Sequence, residues 1–302
     1  MARRYAIYDV FTEQKLAGNP LAVVFDADGL DNAAMQAIAR EFNLSETVFI
    51  RPAKNPAHSA ALRIFTPGRE LPFAGHPTVG AAIALGEDGP ANEAGDRRLM
   101  VLEENIGAVR CVLRVGEPSY AEFDVPRLPE KVEYDVDKAA IAAAVGVAPT
   151  EIGFENHLVS VWTAGNTFVY VPLDGLGPVQ RVSIDKAQWK EIAPIVGGNQ
   201  ASVYVYTRDA IHHDCAFHAR MFAPEMGLAE DPATGSAAAN FAGVIAHFDG
   251  LADGPTAYLI EQGLEMGRPS AIRLEITGKA GAIHAARIGG HAVKIAEGTL
   301  LV

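Results

Sequence analysis

The sequence predicts an α+β protein built from two similar halves, each a mixed or antiparallel sheet wrapped on a helix. Three observations predict this. Segments of the first half recur in the second in the same order, strand-like runs outnumber helical ones, and few β-α-β units are present. The last point argues against a doubly wound parallel sheet.

The first repeated pair is Val10–Val24 against Val161–Tyr170, each read as strand, Gly-Asn turn, strand (Gly18-Asn19 and Gly165-Asn166). The second sets Asn43–Ile50 against Asn199–Tyr206, two β-rich runs that begin after an Asn, with Glu46 opposite Ser202. The third sets Arg63–Pro67 against Arg220–Pro224. After each comes a Glu and then a Gly, Glu70 and Gly75 in one half and Glu230 and Gly235 in the other, followed by a run of small, helical residues. Any one pair is compatible with chance. Three pairs in order make a duplication, and the offset grows from 147 residues at Gly18/Gly165 to 160 at Glu70/Glu230, as loop insertions produce.

Between the paired strands a helix is expected from Asp31 to Phe42. Met35, Ile38, Ala39 and Phe42 recur at helical spacing, Asp31 is a good N-cap, and Asn43 can close the C-terminus. The second half has a matching helical region around 183–195. The Pro- and charge-rich stretch Pro126–Tyr134 reads as the linker. The expected boundaries are 1–127, completed by a C-terminal strand near 290–302, and 128–289.

With 302 residues, 49% of them apolar, the chain can bury one large core or two smaller ones. No apolar run approaches the ~18–20 residues of a membrane helix, and Arg3-Arg4 is not followed by the apolar segment of a signal peptide. A cytoplasmic protein without a membrane partner is the expectation. Twenty-five basic against 37 acidic residues give a net charge of −12, which disfavours nucleic acid as a partner. Cys111 and Cys215 form no C-x-x-C pair and are expected to be reduced thiols.

Gly75 and Gly235 each precede a predicted helix start, with Pro77 at the first helical position and His76 as N-cap in one half, and Ser236 as N-cap in the other. Such a Gly lets a ligand approach free N–H groups at the positive end of a helix, which suits a carboxylate or an enolate-like charge; it equally allows close packing alone. Glu46 opens the apolar strand Thr47–Ile50. There it is either a structural cap on Asn43 or a partly buried carboxyl whose pKa rises into the range of a general acid/base. His76 and Asp231 flank the two glycines and serve either as caps or as polar groups towards a ligand. His212-His213-Asp214-Cys215 has metal-ligating residue types, but strand alternation through Cys215–Phe222 sends neighbours to opposite faces, so no metal site is expected. Nucleotide, dinucleotide, zinc-protease and serine-hydrolase motifs are absent from the sequence.

The segments Gly18–Val24, Leu44–Phe49, Glu70–Thr78, Glu230–Ala237 and Gln262–Ser270 closely resemble the signature blocks of the PhzF family of phenazine-biosynthesis isomerases, and the resemblance spans nearly the whole chain. It implies the diaminopimelate-epimerase-like fold: two pseudo-symmetric domains, each a β-barrel-like sheet around a central helix, with a cleft between them, often as a homodimer and without a cofactor. It implies that Glu46 is the catalytic acid/base, that His76 and Asp231 assist, and that the backbone at Gly75-His76 and Gly235-Ser236 holds a small carboxylate substrate, with Asn19 and Ser45 also lining the site. The epimerase relatives use a pair of cysteines. Gly75 and Gly235 stand at the matching positions here, which speaks against two-cysteine racemisation. The expected activity is a cofactor-independent proton shift. The alternatives are epimerisation with a second base, a lyase or dehydratase using the same base, and a non-catalytic binding member of the family.

Overall fold

The computed structural model describes residues 2–89, 96–135 and 137–302. The chain divides into two compact units. The first comprises Met1–Pro126, Arg268–Ala271 and Arg287–Val302, and the second Arg127–Gly267 and Ile272–Ala286. No helix among the described residues is long and apolar enough to cross a membrane.

The first unit contains β1 (Ala2–Val10), β2 (Asn19–Val24), α1 (Asn32–Phe42), β3 (Glu46–Arg51), β4 (Ala60–Phe65), β5 (Glu70–Leu71), α2 (Gly75–Asp88), β6 (Arg97–Glu104), β7 (Gly107–Arg114) and β8 (Ser119–Asp124). β1 pairs antiparallel with β2, β2 parallel with β3, β3 antiparallel with β4, and β4 parallel with β6. From β6 the sheet continues antiparallel through β7 to β8. The C-terminal strand Ala282–Leu301 then pairs with both β8 and β1, so eight strands close into a barrel with no open edge. β5 adds to β4.

The two helices are used differently, and their sequences say why. α1 is amphipathic. Asp31 accepts from the Ala34 N–H, Asn43 takes the left-handed conformation that ends the helix, and Met35, Ile38 and Ala39 pack on Val24, Phe49 and Phe65. α2 is made mostly of small apolar residues, with His76 and Thr78 among them, and is buried from Gly75 to Ala84, as a helix enclosed by a barrel must be. Gly80 permits its close approach to the sheet: a Cβ there would lie 2.5 Å from Leu21 Cδ2 and 2.9 Å from Val10 Cγ2.

The second unit repeats the scheme. It contains β9 (Glu130–Val132), α3 (Lys138–Val145), β10 (Ser160–Thr163), β11 (Thr167–Pro172), α4 (Leu176–Arg181), α5 (Lys186–Ile192), the short β12 (Ile195–Val196) and β13 (Asn199–Gln200), β14 (Ser202–Thr207), β15 (Phe217–Ala223), β16 (Leu228–Asp231), α6 (Gly235–Phe248) and β17 (Gly254–Gln262). β10 to β11 is antiparallel, β11 to β14 parallel, β14 to β15 antiparallel, β15 to β16 antiparallel and β15 to β17 parallel. This is the order and sense of β1–β2–β3–β4, β4–β5 and β4–β6. The duplication extends to side chains: Arg63 forks onto Glu70 and Arg220 onto Glu230. α6 takes the place of α2, buried along Ala237–Ile245, with Phe241 against the rings of Tyr170, Tyr206 and Phe217.

Two sequence expectations are corrected. The stretch Pro126–Tyr134 is not all linker, because Glu130–Val132 forms β9, paired antiparallel with β10. The Gly18-Asn19 turn is not a tight hairpin. Val10 pairs directly with Asn19, and residues 11–18 form an intervening loop.

Candidate functional site

The expected residues fall into two groups, one in each unit. In the first unit Asn19 opens β2 and is fully buried. It follows a loop fixed by Arg268, which donates to the carbonyls of Gly18 (2.9 Å) and Ala17 (2.6 Å) and to Asp9 Oδ1 (2.6 Å). Gly18 has φ +64°, and a Cβ there would meet the Val10 carbonyl, so only glycine fits. Glu46 opens β3 opposite Leu21 of β2, with Ser45 just before it, and its side chain is 17% exposed. His76 Nδ1 lies 3.3 Å from Glu46 Oε2.

The structure corrects the role expected of His76 as an N-cap. α2 begins two residues before Pro77, at Gly75, its N-cap is Ala74, and no side chain caps it. His76 is therefore inside the first turn, where its ring is buried rather than folded back on the helix start. Burial pulls the imidazole down to about 3, against the opposing effect of a hydrogen bond to the Pro20 carbonyl. The ring is thus neutral at physiological pH and donates one N–H to that carbonyl. Nε2 is buried and has no partner among the described residues, so Nδ1 carries the hydrogen. Nε2 is left as a bare acceptor.

In the second unit Asp231 ends β16 and is buried. Thr234 Oγ1 donates to Asp231 Oδ2 at 2.5 Å. Gln262 Nε2 donates to the Asp231 carbonyl at 2.7 Å, and its amide oxygen accepts from the Thr234 N–H at 3.3 Å. These bonds fix the turn into α6. Ser236 is not the cap it was expected to be: α6 starts at Gly235 with Thr234 as N-cap, and again the N-cap side chain makes no capping bond. Ser236 stays half-buried one position inside the helix. Each unit thus presents a Gly-led helix start without an N-cap side-chain bond, a suitable place for an anion. Ser202, the repeat partner of Glu46, donates to Glu225 at 2.6 Å.

The His212–Cys215 run does not gather into a ligand set. The His212 backbone N–H bonds Glu261, and His213 pairs with its exposed neighbour Asp214. Among the described residues, the three ligand-type groups that do converge are Glu155, His157 and Asp249. Arg208 already binds both carboxylates, so they form an ion-pair network. Sequence reasoning missed Thr234, which holds Asp231, and Glu104, a buried carboxyl near the start of α2. Strand alternation carried the signal for Glu104, since it shares a face of β6 with buried Leu102.

Comparison with known proteins bears on this geometry. The family model described as phenazine biosynthesis-like protein, PhzC-PhzF, matches residues 8–298. An uncharacterized isomerase of Mesorhizobium japonicum is 56% identical over 302 residues, covering 99% of both chains. A trans-2,3-dihydro-3-hydroxyanthranilate isomerase of Pseudomonas aeruginosa is 32% identical over 98% of both. The crystal structure of a Bacillus anthracis phenazine biosynthesis protein of the PhzF family covers both chains completely, with a TM-score of 0.87 at 25% identity.

Proposed function

The chain is an isomerase of the PhzC-PhzF family, and on that premise we propose that it moves a proton on a small carboxylate, with Glu46 as the group that carries it. Glu46 removes a proton from a carbon next to an activating group. The electron pair delocalises into that group. The uncapped helix starts at Gly75-His76 and Gly235-Ser236 are the places suited to stabilise the resulting charge and hold a carboxylate. Protonated Glu46 then returns the hydrogen at a different carbon, so the substrate is isomerised and the carboxylate regenerated.

The contact of Glu46 with a neutral, buried His76 carries the reading. His76 Nε2 is an acceptor, so a ligand group that reached it would be a donor, a hydroxyl or an ammonium. The substrate named for the Pseudomonas aeruginosa relative carries a carboxylate, an amine and a hydroxyl, and a compound of that class is the first to test. Among the expected second bases for epimerisation, an imidazole pulled down to about 3 is too weak. That leaves Asp231, which is already held by Thr234 and Gln262.

The test is incubation of the protein with trans-2,3-dihydro-3-hydroxyanthranilate and a panel of small unsaturated hydroxy- and amino-carboxylates in D2O, read by NMR. One deuteron at a new carbon with a shifted double bond is expected. Inversion at the carbon that lost its proton, with no shift of unsaturation, would show an epimerase, and binding without exchange would show a non-catalytic binder.

A further inference from the structure

Glu104 ends β6, is buried, and is not used by the chemistry above. Its Oε1 lies 2.8 Å from Thr78 Oγ1, and Thr78 Oγ1 lies 2.7 Å from the carbonyl oxygen of Ala74, the residue that caps α2. Three oxygens in a row need two hydrogens. The Ala74 carbonyl has none, and the Thr78 hydroxyl has one. If Thr78 donates to Ala74, the contact with Glu104 requires a hydrogen from the carboxyl. If it donates to an ionised Glu104 instead, two oxygens face each other at 2.7 Å with nothing between them. The other carboxyl oxygen, Oε2, is buried with no hydrogen-bond partner among the described residues. A buried carboxylate with a bare oxygen is far costlier than a neutral acid in the same place.

The surroundings agree. On β7 and β8 the titratable groups that reach this region are Cys111 and, acting on its thiol, Asp124; both are acids, and burial holds the Cys111 thiol protonated. On the β4–β5 side Arg63 is committed to Glu70, which also accepts from Asn105 Nδ2. On α2, His76 is neutral. Among the described residues no cation pairs with Glu104, and burial pushes its carboxyl up to about 8.

We propose that Glu104 is a protonated carboxylic acid whose hydrogen, relayed through Thr78 to the Ala74 carbonyl, fixes the first turn of α2 and thereby the position of Gly75 and His76. It is a positioning residue, and its importance for catalysis rests on the site reading above. When Glu104 loses its proton the relay loses a hydrogen and the turn loosens. Glu104→Gln retains a neutral N–H donor towards Thr78 but cannot ionise.

Two measurements that use no substrate test this. The first is the carboxyl 13C shift of labelled glutamates against pH, with Glu104 assigned by its loss in Glu104→Gln. A resonance that titrates near pH 8 is expected; a Glu104 that titrates in the ordinary carboxylate range overturns the proposal. The second is amide hydrogen exchange at Thr78, whose N–H bonds the Ala74 carbonyl, corrected for intrinsic rates, from roughly pH 6 to roughly pH 10. In the wild type, protection should fall about tenfold through the titration. It should stay level in Glu104→Gln and be low at every pH in Thr78→Val. Parallel wild-type and Glu104→Gln profiles would overturn the relay, and if Glu104→Gln does not fold, a Thr78→Val protein with wild-type protection does the same. Absence of any isomerisation would sink the site reading and leave both measurements intact.

Discussion

Nδ1 of His76 lies 3.3 Å from Oε2 of Glu46 while Nε2 of the same ring is buried without a partner among the described residues. A neutral imidazole of defined tautomer stands beside the one carboxylate that opens β3. In 15N-detected spectra His76 should show a protonated Nδ1 and a bare Nε2 from neutral pH down to about pH 4. A ring that titrates near 6.5, or the opposite tautomer, would remove the acceptor assigned to Nε2.

The same burial makes a stability prediction. An unfolded histidine titrates near 6.5 and His76 in the fold near 3, so between these values the unfolded chain binds the extra proton. His76 therefore destabilises the fold as pH falls from about 6.5 to about 3, by about 1.4 kcal/mol per pH unit. Urea unfolding of wild type and His76→Gln should show that slope reduced in the variant.

His218 carries the opposite sign. Its burial disfavours the charged ring, but Glu261 at 2.7 Å and Glu265 at 3.0 Å outweigh this and push the imidazole up to about 9. The contribution is fully present below about pH 6.5 and is lost as pH rises through about 9. Replacement by Leu takes the shared cation from buried Glu261, which keeps the Ile211 and His212 N–H groups, and from half-buried Glu265, and should cost about 3 kcal/mol at pH 7. A variant as stable as wild type in urea would show that the cluster contributes no net stability.

Gly80 and Gly243 let the two central helices approach their sheets. A Cβ on Gly243 would sit 2.4 Å from Trp162 Cε3, as one on Gly80 would crowd Leu21. Ala at either position should destabilise by about 1–3 kcal/mol, despite the roughly 1 kcal/mol by which Ala outranks Gly as a helix former. Calorimetry on the two single variants and the double variant would check both the size and the additivity.

Much of this architecture is legible in the sequence because its signals are local. Asp31 and Asn43 bracket α1 with ordinary capping chemistry, and the Arg63…Glu70 and Arg220…Glu230 spacing reports a duplicated ion pair. The closure of the first barrel is not local. The strand Ala282–Leu301 pairs with β1 and β8, far away in the chain, and nothing within its own residues names those partners. The helix starts were misplaced for a similar reason. Pro77 suits the first helical position, but α2 begins two residues earlier, where Gly75 is buried and the buried His76 ring bonds the Pro20 carbonyl of β2, a contact the local sequence does not announce. Glu104 went unread because Glu103-Glu104 looks like a solvated charge pair. Glu103 is half-buried and accepts from the backbone of Lys54 and Asn55, while Glu104 turns inward.

The central claim is that Glu46 carries the proton, and Glu46→Gln tests it most directly. With a substrate identified in the D2O screen, the variant should bind as the wild type does by calorimetry, while deuterium incorporation falls roughly 10²–10⁴-fold. Full exchange by Glu46→Gln would contradict the assignment and place the base elsewhere.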